Sequence, residues 1–598
     1  MSASGLRRRL TVALATVATV TLVAALPSVA SHAAAKPLPN RFDLQLLALN
    51  DFHGNLEPPS GSSGRIGVLT GTFPNQVCVA PTCYLAGGAA FLAGKLKELR
   101  AQAAAAGKPS LTVAAGDLIG ASPLISAAFH DEPTIEAMNL AGLQVASVGN
   151  HEFDEGYREL QRMDAGGCLA DGPTGRDNQN SCPDEAHPFT GADFAYLAAN
   201  VKETATGQTI LPATSIKTVN GVKVGFIGMT LEGTPQIVSQ AGIAGLEFGD
   251  EVATANSLVP QLKKQGAKAI VVLLHEGGLP SDPSQYNACP GISGPIVDIA
   301  HALSTDIDAI ISGHTHQGYN CQLPDPAGNP RLVTSASSFG RLVTEVTLTI
   351  NTQSGDVMRA TSNATNHIVT RTGGDSAMAA LVAKYKEMVR PIESKVIGQV
   401  ATKAPITKTN DASGESQLGN LIADAQVTDP TVVRNGVVPQ IAFMNPGGIR
   451  TDLVVDSTSG DVTYGSAFAV QPFNNYVVSM DMTGAEIETL LEQQFIGFNA
   501  SPNNKVLSVS NGFTYTWKAS GTDRIDPATI KLNGVPLDPG TTYRVVANSF
   551  LSDGGDGFGA FAGARNKLIG GLDIDSFANY LAAHSPYAPV ATDRITVG

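Results

Sequence analysis

The stretch L143-Q-V-A-S-V-G-N-H-E-F-D-E-G156 runs from an apolar segment straight into Asn150, His151, Glu152, Asp154 and Glu155. Read as a polar turn with a helix cap behind it, it says little. Read as a buried strand with a functional loop at its end, it predicts an α/β domain that keeps its chemistry at strand termini. The neighbouring sequence favours the second reading. Between about Phe42 and Ile350, strand-length apolar runs recur: L44-QLLA-L49, L111-TVAA-G116, V222-KVGFI-G228, A269-IVVLL-H275 and I307-DAIIS-G313. Helical stretches such as Ala89 to Ala106 separate several of them, and strands alternating with helices imply an α/β fold.

With 598 residues, 43% of them hydrophobic, the chain is too long for one core and too apolar for disorder, so two large domains are expected. Asp375 to Val396 reads as a connecting helix with a proline after its main body. Beyond about Ile397 come a helix, L418-GNLIADAQ-V427, a strand, Y543-RVVANSF-L551, and a flexible run, S552-DGGDGF-G559. The organisation expected is a signal peptide over 1–35, a first domain over 40–370, a linker helix over 371–396 and a second domain over 397–598.

The signal peptide rests on Arg7, Arg8 and Arg9, the apolar run from Leu10 to Leu26, and small residues at S28-V-A30 and A33-A-A35. Pro27 closes the run short of the ~20 residues that span a bilayer. The mature protein is therefore expected outside the cell, secreted or held at the wall, with no membrane anchor. Losing the three arginines takes the formal charge from −14 to −17, which disfavours duplex nucleic acid as a partner but not small phosphorylated molecules. Six cysteines suit an oxidising compartment, and pairing of neighbours (Cys78–Cys83, Cys168–Cys182, Cys289–Cys321) would staple one loop each. Zinc binding by cysteine is the weaker alternative, since there is no CxxC.

Five strand-end motifs share one chemistry: N50-D-F-H-G54, A115-G-D-L-I-G-A-S-P123, G149-N-H-E-F-D154, L274-H-E-G-G278 and S312-G-H-T-H-Q317. On an extended segment Asp51 and His53, two apart, point to one face, and His314 and His316 repeat that spacing. Asp117 follows a glycine that allows a tight turn. Together the motifs offer carboxylate oxygen, amide oxygen and imidazole nitrogen, the donors of divalent Zn, Mn or Co. One such motif is an ordinary polar turn; five in one domain are hard to attribute to chance. In the second half, N445-P-G-G-I-R450 sets an amide and a guanidinium about a glycine turn. Phe473, Phe550 and Asp556 lie in polar or glycine-rich stretches, where a lone Phe is usually core.

In their order these motifs resemble the calcineurin-like metallophosphoesterases, and more narrowly the secreted 5′-nucleotidase and UDP-sugar hydrolase family. The resemblance implies a four-layer α/β/β/α sandwich, a helical linker and a smaller α+β substrate-binding domain. It implies two divalent ions, one on Asp51, His53 and His316, the other on Asn150, His275 and His314, with Asp117 bridging. Such a pair activates water for in-line attack on phosphorus. It makes His151 catalytic, acting on the phosphoryl or leaving-group oxygen and oriented by Asp154, where a third imidazole ligand is the alternative. Glu152 reads as structural and Glu155 has no assigned role. Asn445, Arg450, Phe473, Phe550 and Asp556 become substrate-binding, with the base between the two phenylalanines. One departure stands out: Gly414 occupies a position where the family often carries arginine, which leaves room for diesters. The activity implied is hydrolysis of nucleoside 5′-monophosphates to nucleoside and phosphate. A cyclic-nucleotide phosphodiesterase and a UDP-sugar hydrolase are the same-scaffold alternatives. A non-catalytic nucleotide-binding surface protein is the alternative of another class. The sequence sets no oligomeric state.

Overall fold

A computed structural model describes residues 40–68, 78–171, 179–184, 186–239, 242–501 and 503–598. The expected signal peptide lies outside them. Two six-stranded sheets form the first half. In the first, Arg41–Leu49, Ser110–Ala115, Val145–Ser147 and Ala195–Leu197 run parallel, and Leu342–Asn351 and Asn363–Ile368 extend it antiparallel. In the second, Val222–Thr230, Ala267–His275, Ala309–Ser312 and Pro330–Ala336 run parallel between the antiparallel edges Thr214–Val219 and Gly318–Pro324.

Alternation along the strands builds the layers. Leu44, Leu46 and Ala48 turn inward and meet Val224, Phe226, Val271 and Leu273 of the other sheet in one buried core. Leu47 and Leu49 turn outward onto the helices Ala89–Ala105 and Glu132–Ala141. From the second sheet, Ile270, Val272 and Leu274 face Glu251–Lys264 and Pro295–Ala302. Because strands buried on both faces must be apolar at every position, these runs lack a polar side, as the sequence shows. The result is the α/β/β/α sandwich.

The helix Ser376–Glu393 starts where the Asp375 carboxylate accepts the backbone N–H groups of Ala377 and Met378, and its last turn contains Pro391. Met378, Tyr385 and Val389 are buried, with Tyr385 against Phe129 at 5.4 Å. It shares its core with Leu92 of the first half and Leu418 of the second, and residues 40–598 form one compact body. The second half centres on a five-stranded sheet of Ser508–Val509, Ile441–Met444, Thr542–Asn548, Tyr476–Thr483 and Arg565–Leu572. Here one expectation is corrected. The strand read as Tyr543 to Leu551 stops at Asn548, whose side chain accepts from Leu551 N at 2.8 Å and caps a helical turn, Ser549–Ser552. The three disulfides join neighbouring cysteines, as expected. Among the described residues, no helix is long and apolar enough to cross a membrane.

Candidate active site

All five motifs leave the carboxyl ends of parallel strands on one rim. Their convergence has a different cause from the extended geometry expected of Asp51 and His53. Asp51 (φ 49°), His53 (φ 47°), Asp117 (φ 50°), His314 (φ 71°) and His316 (φ 58°) all adopt left-handed backbone, which turns each side chain back across its loop. For a non-glycine residue this conformation costs on the order of 1–3 kcal/mol and persists only where surroundings enforce it. Gly149 leaves the space they fill: a Cβ there would lie 2.2 Å from Asp117 Oδ1.

The donors gather in three overlapping groups: Asp51 with His53 and His316, Asp117 with His275 and His314, and His53 and Asp117 with His151. His53 Nε2 lies 3.0 Å from His316 Nε2 and 3.6 Å from Asp117 Oδ2, so Asp117 stands between the groups. His316 Nε2 is 3.3 Å from Asp51 Oδ1, and His275 Nε2 is 2.9 Å from Asp117 Oδ2. Asn150 Oδ1 lies 3.1 Å from His314 Nδ1.

A cation fits these residues. His275 Nδ1 donates to the Ala115 carbonyl at 2.7 Å and His53 Nδ1 to the Gly120 carbonyl at 2.9 Å, which aims both Nε2 atoms inward. Burial lowers the His275 pKa, but the Asp117 carboxylate outweighs it and raises the value to about 10. That Nε2 of His275 is buried without a hydrogen bond. Burial lowers the pKa of His53, His314 and His316, that of His314 to about 3, which keeps them in the neutral form that ligates. Burial opposes charge on Asp117 as well, but the His275, His151 and His53 imidazoles outweigh it and hold the carboxyl below its usual range.

Supporting residues carried weaker signals. Asn50 donates to Asp51 Oδ2 at 2.6 Å and to Ser337 O at 2.6 Å. Glu152 accepts the backbone N–H groups of Asp117 (3.0 Å), Leu118 (2.9 Å) and Gly149 (2.5 Å), tying two of the loops together, so it is structural. Glu155 gains a role: its carboxylate takes His130 Nδ1 at 2.6 Å and Gln179 Nε2 at 2.6 Å, anchoring the disulfide-bounded insertion. His151 stands apart from Asn150. Its backbone N–H reaches Asp117 Oδ1 at 2.9 Å, and its Nδ1 pairs with Asp154 Oδ2 at 2.7 Å. Burial lowers the His151 pKa, and the Asp154 and Asp117 carboxylates outweigh it, so the net shift is upward.

Beside this rim lies a pocket of about 210 Å³ that brings Asn150, His151, Asp154 and His314 together with Asn445, Arg450, Phe473, Phe550 and Asp556. Phe473 stacks on His151 at 5.7 Å with Arg450 over its ring at 5.6 Å. Asp556 accepts from Asn445 Nδ2 at 2.8 Å and forms an ion pair with Lys505. Phe550 closes on Gly555, where a Cβ would come within 2.5 Å of the ring. Phe498, Lys505, Asn475 and Asn548 also line the pocket and were missed: Phe498 and Lys505 have no motif around them, while Asn475 and Asn548 stand beside Phe473 and Phe550 in the same stretches and were passed over for the aromatic residues. Gly414, the departure noted above, has φ 87° and a Cβ there would lie 2.6 Å from Val506. No larger side chain fits.

The chain matches the calcineurin-like phosphoesterase family over residues 44–318 and the 5′-nucleotidase C-terminal domain over residues 396–563. It is 31% identical to the cell wall protein Lmo0130 of Listeria monocytogenes, over 96% of this chain and 71% of that protein. It is also 31% identical to the endonuclease YhcR of Bacillus subtilis, over 92% of this chain, and spans 41% of that protein's length. Among solved structures, a 5′-nucleotidase precursor from Thermus thermophilus superposes with a TM-score of 0.71 at 25% identity, covering 93% of this chain and 99% of that one.

Proposed function

The chain belongs to the 5′-nucleotidase family of calcineurin-like phosphoesterases, hydrolases of phosphate esters, and on that premise we propose that it is an exported, metal-dependent 5′-nucleotidase. It converts nucleoside 5′-monophosphates and water to nucleoside and phosphate outside the cell. Residues 40–370 form the catalytic part, 371–396 the connector and 397–598 the nucleoside-binding part. A relative that is a cell wall protein supports the location.

Asp51, His53 and His316 would hold one divalent ion and Asn150, His275 and His314 the other, with Asp117 between; Zn, Mn and Co suit these donors. When bound, the ions supply charge neutralisation and a nucleophilic water. The protein's own groups do the rest. With Nδ1 committed to Asp154, His151 presents Nε2 to the phosphoryl or leaving-group oxygen and delivers a proton there. Arg450 forks onto the phosphate, and its place over Phe473 fixes its direction. Phe473 and Phe550 hold the base, and Asp556 accepts from the ribose hydroxyls.

The observation that carries this reading is that His151 and His314 belong both to the donor cluster and to the wall of the aromatic pocket, with Asn150, 3.1 Å from His314, lining the same wall. A nucleoside there places its 5′ end at the donors. The test is a phosphate-release panel of AMP, 2′,3′-cyclic AMP and a UDP-sugar, with defined metals and a chelator control. Binding of adenosine with no phosphate released from any nucleotide would leave a binding protein in place of an enzyme.

A further inference from the structure

A second and larger cleft, of about 650 Å³, borders the same centre from the side of His316, and the function above leaves it idle. Arg65, Arg341, Lys408, Tyr286 and Phe339 line it. The first pocket reaches the centre past His314 and Arg450, the second past His316 and Lys408. The two meet where the Lys408 ammonium donates to the Arg450 carbonyl at 3.2 Å. The donor cluster therefore lies between two openings.

The charge in the second cleft is unusual for a chain of formal charge −14. Among the described residues, every hydrogen bond from the Lys408 ammonium and the Arg341 guanidinium ends on a neutral oxygen: Ile449 O and Arg450 O, Ser338 O, Arg65 O, Ser337 Oγ and Ser338 Oγ. Cations held this way keep their charge available for an anion. Tyr286 is half-buried on the same wall, so one ring face can meet a base.

We propose that this cleft binds the next phosphate of a single-stranded oligonucleotide whose scissile phosphodiester lies at the centre and whose terminal nucleoside fills the first pocket. The proposal rests on the reading of that centre as a phosphoesterase. The reaction needs only water: its oxygen forms a new bond to phosphorus, the ester bond to the terminal nucleoside breaks, and the departing oxygen takes a proton. The far arm leaves as a phosphomonoester.

A thymidine dinucleotide and trinucleotide share the scissile bond and differ by one further nucleotide, a phosphate with its thymidine. Full-length protein with added metal should cleave the trinucleotide with a kcat/KM about tenfold higher, as one added charge contact implies. Lys408→Gln and Arg65→Gln should each bring that ratio to about one, and Lys408→Arg should keep it. Calorimetry on chelator-treated protein should rank the two oligonucleotides' Kd values in the same order. A wild-type ratio of one, or variants that lose both substrates equally, overturns the proposal. Failure to release phosphate from AMP as well would sink the underlying enzyme assignment, whereas AMP hydrolysis with a ratio of one sinks only the second cleft.

Discussion

His151 and Asn150 are adjacent, yet they face different tasks, and replacing His151 separates them. His151→Ala should lower kcat by roughly 10²–10⁴-fold while the metal content, read by elemental analysis, stays that of the wild type. Loss of metal would instead make His151 a ligand. Phe550→Ala removes one face of the nucleoside pocket and should raise the KM for AMP about tenfold, the value of one stacked ring. A KM that does not move would place the base elsewhere. Glu152→Gln keeps one acceptor oxygen and sets an NH2 donor against at least one of the backbone N–H groups of Asp117, Leu118 and Gly149, which use both carboxylate oxygens. Urea unfolding should register a loss of about 1–3 kcal/mol; an unchanged midpoint would mean that the three bonds contribute nothing net.

At the scale of elements, the strand-end loops and the insertion bounded by Cys168 and Cys182 are joined by one histidine. His130 pairs with Glu155 at 2.6 Å and Asp171 at 3.2 Å. Burial lowers its pKa, but Glu155, Glu159 and Asp171 outweigh it and raise the value from 6.5 to about 9. A raised folded-state pKa contributes stability that is fully present below the unfolded value and is lost as pH rises through the folded one. The stability difference between the wild type and His130→Gln should therefore be largest below pH 6.5 and shrink by about 3 kcal/mol toward pH 9. Chemical denaturation at a series of pH values measures it, and a gap that widens with pH would reverse the sign. The motifs of these elements were legible, since apolar runs ending in Asp, Asn or His need no tertiary information to be noticed. Their backbone was not. Left-handed φ at Asp51, His53, Asp117, His314 and His316 has no local signature, because it is imposed by neighbouring strands that lie far off in sequence.

At the scale of the molecule, the centre couples metal to stability. Its donors lie at the ends of strands of both sheets, so any ion there binds the folded chain and not the unfolded one. Stripping with a chelator should abolish hydrolysis and lower the calorimetric Tm, by an amount that free metal at a hundred times its Kd would restore with about 2.7 kcal/mol. Activity that survives exhaustive chelation would refute the metal centre. The shared core beneath Ser376–Glu393 joins the two halves: Met378, Tyr385 and Val389 anchor the segment read as a linker, while its outer face stays exposed.

The sequence alone determined that apolar strands alternate with helices and end in clustered Asp, Asn and His, because apolar periodicity and short-range spacing are properties of the chain itself. The layered sandwich and the division of labour among those residues followed from a family resemblance in the order of the motifs, and the cysteine pairing was one of several that the sequence allows. Tertiary structure decided how the donors gather in overlapping groups, that Glu155 pairs with His130, that Phe473 rests on His151, and that a second cationic cleft opens beside His316. Each of these depends on residues tens to hundreds of positions apart. No local pattern encodes such distances; only the closing of the two sheets and the packing of the second half against their rim brings those residues together.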